Sequence, residues 1–334
     1  MGQGAFILAP RGATLGPDEL RFFRDADPFG FILFDRNVSD AEGTRRLTAS
    51  LREAVGRDAP VLIDQEGGRV QRLRPPLSRD WLPPLDQARL AGDRAARAME
   101  LRAILISADL LPLGIDANCA PCADIATDDT HRFLRNRCYG TTPDEVTARA
   151  RATADGHLAM GVLPVLKHAP GHGRATADSH KRLPRIDAAF DDYDATDAAP
   201  FRALADLPMA MTAHLLIQAI DPDRPITLSD AGIRYLRDGI GLTGFLMTDD
   251  ISMEAVDGSV AVRSAAAIRA GCDAVLHCNG DLAEMTAVAG AAGRLTDAGQ
   301  ARADAAVARR AGADRPDLTA AEEELADIME HADA

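Results

Sequence analysis

The chain has no surplus of positive charge. Over 334 residues, 37 Lys and Arg stand against 51 Asp and Glu, a formal charge of −14. That balance repels phosphates, and no basic run or aromatic-rich basic stripe offsets it, so a nucleic-acid-binding surface is excluded. Aromatics are scarce, at 4%. No apolar stretch approaches the ~20 residues that a membrane-spanning helix needs. The N-terminal MGQGAFILAP lacks a charged n-region and a long apolar h-region. It does not read as a signal peptide, and a cytosolic protein is expected. Five cysteines fit a reducing compartment. Cys119 and Cys122 form a C-x-x-C, but in ANCAPCADI the motif reads as a strand entering a polar turn, not as a redox-active helix N-terminus. No second pair stands at metal-binding spacing, so both are expected to be buried small residues. There is no Walker A motif, and no G-x-G-x-x-G after the first apolar run, which argues against an open dinucleotide-binding sheet.

What the chain does have is a recurring pair of patterns. Short apolar runs occur at 5–9, 30–34, 61–63, 115–123, 162–166, 209–212, 244–247 and 274–277. Helical patterning fills 40–55, 85–111, 143–160 and 260–270 between them. Thr142, Pro143 and Glu145 make a helix start. Thr319-Ala-Ala-Glu322 reads as a capping box for an acidic C-terminal helix. Eight strands alternating with helices predict an α/β fold, a (β/α)₈ TIM-type barrel. With no Gly/Ser-rich linker, residues 1–334 are expected to form a single catalytic barrel, with about 280–334 as C-terminal helices packed on it.

The segment Lys167–Pro184, KHAPGHGRATADSHKRLP, concentrates the chemistry. An apolar run delivers Lys167 and His168 to a strand end, and a glycine-rich loop then carries Asp178, Ser179 and His180. Residues two apart in an extended segment point the same way, so Asp178 and His180 can touch. A carboxylate beside an imidazole orients it and favours its protonated form. His172, taken alone, reads as a satisfied polar residue on a surface turn. Charges close other strands too: Asp35-Arg36-Asn37, the Asp64–Arg69 stretch with Arg72, Asp124 followed by Arg137, His214, and Asp249-Asp250. In a barrel these converge on one mouth. Several carboxylates, arginines, a lysine and histidines suit a polyhydroxylated ligand. Retaining glycoside chemistry needs a carboxylate nucleophile and an acid/base. The pair Asp249/Asp250 offers the nucleophile. Adjacent strand residues face opposite sides, so only one of them is expected in the mouth.

These motifs resemble an ordered set from glycoside hydrolase family 3: GFILFDRN, IDQEGGRVQRL, KHAPGHG, ADSHKRLP, MTAHLL and TDDISM, from about Gly30 to about Gly280. Within the family they are most similar to the single-domain bacterial β-N-acetylhexosaminidases of peptidoglycan recycling. The resemblance implies Asp249 as nucleophile and His180 as acid/base with Asp178 as its partner. It implies that Asp64, Arg72, Lys167 and His168 bind the sugar. Arg137, in Arg-Cys-Tyr-Gly, is the best match for a further sugar-binding arginine, with Arg132 and Arg135 close enough to compete. His214, in MTAHLL, joins the binding set. The implied activity is a retaining exo-β-N-acetylglucosaminidase acting on muropeptide-derived N-acetylglucosaminides, without metal or other cofactor. The expected partner is a small carbohydrate, not nucleic acid or membrane; the oligomeric state stays open. Because an imidazole repels phosphate less than a carboxylate does, phosphorolysis stays beside hydrolysis. Two other classes compete. One is a metal-dependent barrel hydrolase using His168, His172, His180 and Asp178, against which Pro170 and two glycines break any helical ligand spacing. The other is a catalytically silent sugar-binding barrel.

Overall fold

A run of three to seven apolar residues ending in a charge has one stable place in an α/β fold, a buried parallel strand with its charged end at the sheet's rim. In the computed structural model, which describes residues 2–175, 183–253, 256–311 and 315–331, eight such runs close into a parallel barrel. The strands are β1 (Gly4–Leu8), β2 (Pro28–Leu33), β3 (Val61–Ile63), β4 (Ala117–Asn118), β5 (Leu163–Ala169), β6 (Met209–Thr212), β7 (Phe245–Asp250) and β8 (Ala274–His277). Each pairs with its sequence neighbours, and β8 closes on β1 with Phe6 beside Val275. The expected barrel is the fold found.

Helices pack outside the strands. The Thr142 side chain caps Pro143–Met160, and Glu145 reaches back to the amides of Thr141 and Thr142. Pro143–Met160 and Ala95–Leu110 approach closely because Gly156 has no side chain; a Cβ there would run into the Glu100 carbonyl. The stretch expected as one helix over 85–111 is two, Pro84–Ala91 and Ala95–Leu110, separated at Gly92, whose φ of 54° breaks the first. The C-terminal helix Leu318–Glu330 is not capped by Thr319. Asp317 takes that place, accepting from the Thr319 amide at 2.9 Å, because it lies one residue before the first helical turn. Glu322 pairs instead with Arg79 at 2.5 Å.

Two ladders are irregular where they reach the C-terminal rim. The register shifts between Leu166 and Ala169 where β5 meets β6, and between Met247 and Asp250 where β7 meets β8. An extra residue in a ladder re-aims the side chains around it. Both shifts fall on the stretches that carry the rim's charged residues.

Candidate active site

At the C-terminal rim, Asp64, Arg72, Arg137, Lys167, His168, His172, Asp249 and Asp250 line one pocket, with Phe34, Val70, Phe133, Met211 and Met253 among its apolar walls. The charged groups are tied together. Lys167 Nζ donates to Asp64 at 3.0 Å and sits 2.6 Å from Glu66. Arg72 donates to the other Asp64 oxygen at 3.0 Å. Arg137 grips Glu66 with two bonds of 2.8 Å. Burial opposes ionisation of Asp64 and Glu66, but their cationic partners outweigh it: Asp64 is held well below the carboxylate range, and Glu66 is brought to about 2. Burial likewise works against the Lys167 ammonium, and Asp64 and Glu66 keep it protonated.

Arg72 is positioned by its own hairpin. The strands Gln65–Gly67 and Val70–Gln71 turn at Gly67 and Gly68, with φ of 108° and 57°. Only glycine adopts both angles without strain. The Gln65 side chain then zips the hairpin, accepting from the amides of Arg72 and Leu73 at 3.0 Å each.

A second cluster hangs on Asp124, a fully buried carboxylate. One oxygen takes the His168 Nδ1 hydrogen at 2.7 Å, and the other accepts from the His172 amide at 2.7 Å. Burial raises its cost of ionising; the His168 and His172 contacts more than compensate and hold it well below the usual range. His168 Nε2 lies 3.3 Å from Arg137 Nη2, which can only donate. The His168 tautomer is therefore Nδ1–H, with Nε2 as acceptor. Cys122 donates to Asp124 at 3.3 Å. Cys122, Asp124 and His168 are the group of metal-type donors among the described residues, and they already satisfy one another. Cys119 and Cys122 are buried and unpaired, as expected of small core residues.

Asp249 and Asp250 both line the pocket, contrary to the expectation from strand alternation; the register shift in β7 is the reason. Their hydrogen bonds separate them. Asp250 accepts from the Ser252 amide and hydroxyl at 3.0 and 2.7 Å and from the Cys278 amide at 3.2 Å. Asp249 accepts with Oδ1 from the Asp250 amide at 2.8 Å, and its Oδ2 is free of hydrogen bonds among the described residues. Burial pushes the Asp249 carboxyl up, but His168, His214 and that amide bring it below its ordinary value, so the free oxygen is anionic.

One expected sugar-binding residue lies elsewhere. His214 is fully buried and does not line the pocket. Its Nε2 donates to the Asp250 carbonyl at 2.9 Å, and its Nδ1 meets Thr227 Oγ1 at 2.9 Å. Bonded at both nitrogens and set back from the pocket, His214 holds the end of β7. Asp178 and His180 fall outside the described residues. Among the competing arginines, Arg132 is exposed and Arg135 pairs with Asp128 at 3.1 Å, while Arg137 faces the pocket. His172 is no surface-turn residue: it is buried, and neither ring nitrogen has a partner among the described residues. Asp124 and Glu66 carry more of the site than their sequence positions announce, because their partners lie 44 and 71 residues away.

Residues 25–311 match the model of the glycosyl hydrolase family 3 N-terminal domain. The chain belongs to glycosyl hydrolase family 3. It is a glycoside hydrolase. The β-hexosaminidase of Methylococcus capsulatus is 35% identical over 93% of this chain and 94% of its own. Among family 3 structures, NagZ from Neisseria gonorrhoeae in complex with N-trifluoroacetyl-D-glucosamine superposes with a TM-score of 0.86, at 26% identity, over 98% of this chain and 99% of that one. A family 3 β-N-acetylglucosaminidase from a Paenibacillus species gives 0.84 at 28% identity, covering 98% of this chain and 68% of its own.

Proposed function

We propose that the chain is a cytosolic, exo-acting β-N-acetylglucosaminidase that retains anomeric configuration and releases N-acetylglucosamine from muropeptide fragments. The observation that carries this reading is the free, anionic Oδ2 of Asp249 in a pocket walled by Asp64, Lys167 and Arg137, with Glu66 buried behind them. The named activities of the relatives support the choice of sugar.

In this reading Asp249 attacks the anomeric carbon and forms a glycosyl-aspartate, which an acceptor water then opens. Asp64, Arg72, Lys167, Arg137 and His168 hold the sugar's hydroxyls. Asp64 accepts from two cations and Glu66 is enclosed, so the wall is fixed before substrate arrives and loses little on reorganising. Asp178 and His180 supply the acid/base pair. A histidine titrates near pH ~6.5 and can give a proton in the first half-reaction and take one in the second.

Trapping with a fluorinated N-acetylglucosaminide, followed by peptide mapping, should label Asp249; a label on Asp250 or Glu66 refutes the assignment. His180→Ala should slow natural disaccharides by roughly 10²–10⁴, and nitrophenyl glycosides much less. Equal losses on both would make His180 a positioning residue. Faster cleavage of the p-nitrophenyl β-glucoside than of the N-acetylglucosaminide would overturn the substrate, and a phosphorylated sugar among the products would replace hydrolysis by phosphorolysis.

A further inference from the structure

His172 has an environment unlike that of the other described histidines. His157 is equally buried, but Ser107 and Asn118 occupy its two ring nitrogens at 2.8 and 3.2 Å. His168 and His214 also have both nitrogens engaged. His131, His277 and His331 each have a partner on one. His172 is 8% exposed, with Nδ1 and Nε2 both buried and both without a partner among the described residues. Its place is not left to chance. The His172 amide is pinned on Asp124 at 2.7 Å, its carbonyl accepts from Ala175 at 3.0 Å, and Tyr193 holds the preceding Gly171 carbonyl at 2.7 Å. The backbone therefore delivers this ring into the wall of the pocket that holds Lys167, His168 and Asp249.

A buried polar atom without a partner is unfavourable, and folded proteins rarely keep one that has no use. Two on one ring, in a residue that lines a pocket, point to a ligand. We propose that His172 is a further sugar-binding residue, one of whose ring nitrogens bonds a neutral hydroxyl of the bound glycoside. This rests on the reading that the pocket takes a glycoside. The ring's charge state agrees with a neutral ligand group. Burial, which the Asp124 carboxylate only partly offsets, brings His172 down to about 4, so the imidazole is uncharged near neutral pH. Its nitrogens are then one donor and one acceptor, and a hydroxyl can pair with either. The titratable groups that face it are Asp124, His168 and Asp249. Asp124 is already engaged with the His172 backbone and His168, leaving the ring itself to the pocket.

Two variants and one ligand series test this. His172→Leu removes both unpaired nitrogens; His172→Gln keeps a donor and an acceptor. Thermal melting of the free protein, kcat and KM on a nitrophenyl N-acetylglucosaminide, and calorimetric binding of N-acetylglucosamine and its 3-, 4- and 6-deoxy analogues are measured for all three proteins. His172→Leu should melt no lower than the parent, yet raise KM and weaken sugar binding about tenfold or more, with the pH–rate profile unmoved. His172→Gln should recover most of that loss. One deoxy sugar should bind the parent more weakly by the same factor, and His172→Leu should no longer distinguish it from N-acetylglucosamine. If His172→Leu binds every sugar as the parent does, or melts lower while KM holds, His172 is structural and the inference falls. A parent that binds these sugars but cleaves no N-acetylglucosaminide defeats the functional reading and leaves the His172 result standing; a parent that binds none defeats both.

Discussion

Asp249 lines the pocket and Glu66 lies behind it, under Arg137 and Lys167, and their surroundings assign the two carboxylates different work. Both Glu66 oxygens are taken by Arg137, with Lys167 against one of them. Its side chain is fully buried and its cationic partners keep it ionised, so it has no proton to give. Its carboxyl, at about 2, lies below the 4.5 of a free glutamate. Folding gains from its ionisation at every pH above 4.5, and that gain drains away as pH falls toward 2. Glu66→Gln should be less stable than the parent at neutral pH and should lose less additional stability between pH 4.5 and 3, as read from urea midpoints. Parallel curves would show that Glu66 adds nothing to acid sensitivity. His157 and His172 act at higher pH. Burial brings them to about 3 and about 4, below the 6.5 of a free histidine. The unfolded chain then binds the proton first, so both residues erode stability as pH drops from 6.5 toward 4.

At the scale of elements, the site depends on how strands end. The alternation rule would allow one of Asp249 and Asp250 in the mouth, and one of Lys167 and His168. The register shifts in β5 and β7 admit both members of each pair. A single chain gives no sign of where a ladder will shift, which is why the strands were legible in the sequence and the facing of their last residues was not. Apolar runs announce strands through local chemistry alone. The Asp124 and Glu66 hubs, by contrast, are defined by partners brought near only by barrel closure. The MTAHLL motif and its place at a strand end mark His214 for the mouth, and nothing local reveals that the Asp250 carbonyl lies within reach of its ring. Its bond to that carbonyl anchors the backbone one residue past Asp249. His214→Phe should lower kcat by up to about 10² with KM little changed, since a small misplacement of a reacting group can have that effect. His214→Gln, which can still donate to the carbonyl, should recover part of the loss; a change confined to KM would return His214 to the binding set. Helix packing has an equally local weak point. Gly156→Ala improves helix propensity but drives a methyl into the Glu100 carbonyl. The clash should win, at about 1–3 kcal/mol of lost stability in chemical unfolding.

Over the whole molecule, the end of the barrel opposite the pocket is built from ion pairs that reach far along the chain. Asp116, just before β4, meets Arg52 at 2.9 Å and Arg310; Asp273, just before β8, meets Arg237 at 2.7 Å and Arg302 at 2.5 Å. Arg302 lies on the helix Asp297–Ala308, and Arg310 follows it closely. Farther on, Leu318–Glu330 buries Leu325 and Ile328 and sets Glu324 and Asp327 against Arg97 and Arg94. We propose that these helices and the barrel form one folding unit over residues 1–334. Calorimetry should then show one transition, and Asp273→Asn, which leaves two arginines facing a neutral amide, should lower its midpoint without splitting it. A separate low-temperature transition from the C-terminal helices would divide the unit.

The enclosure of Lys167 gives this chain an unusual chemical address. The sequence has just two lysines, Lys167 and Lys181. An amine-directed reagent needs an accessible, deprotonated nitrogen. The Lys167 nitrogen is neither: its side chain is 2% exposed, and Asp64 and Glu66 keep it protonated. Acylation of Lys167 is therefore a tally of molecules whose pocket wall has come apart. Peptide mapping after a timed pulse of reagent would follow the opening of that wall on one atom, without a substrate and without an engineered probe.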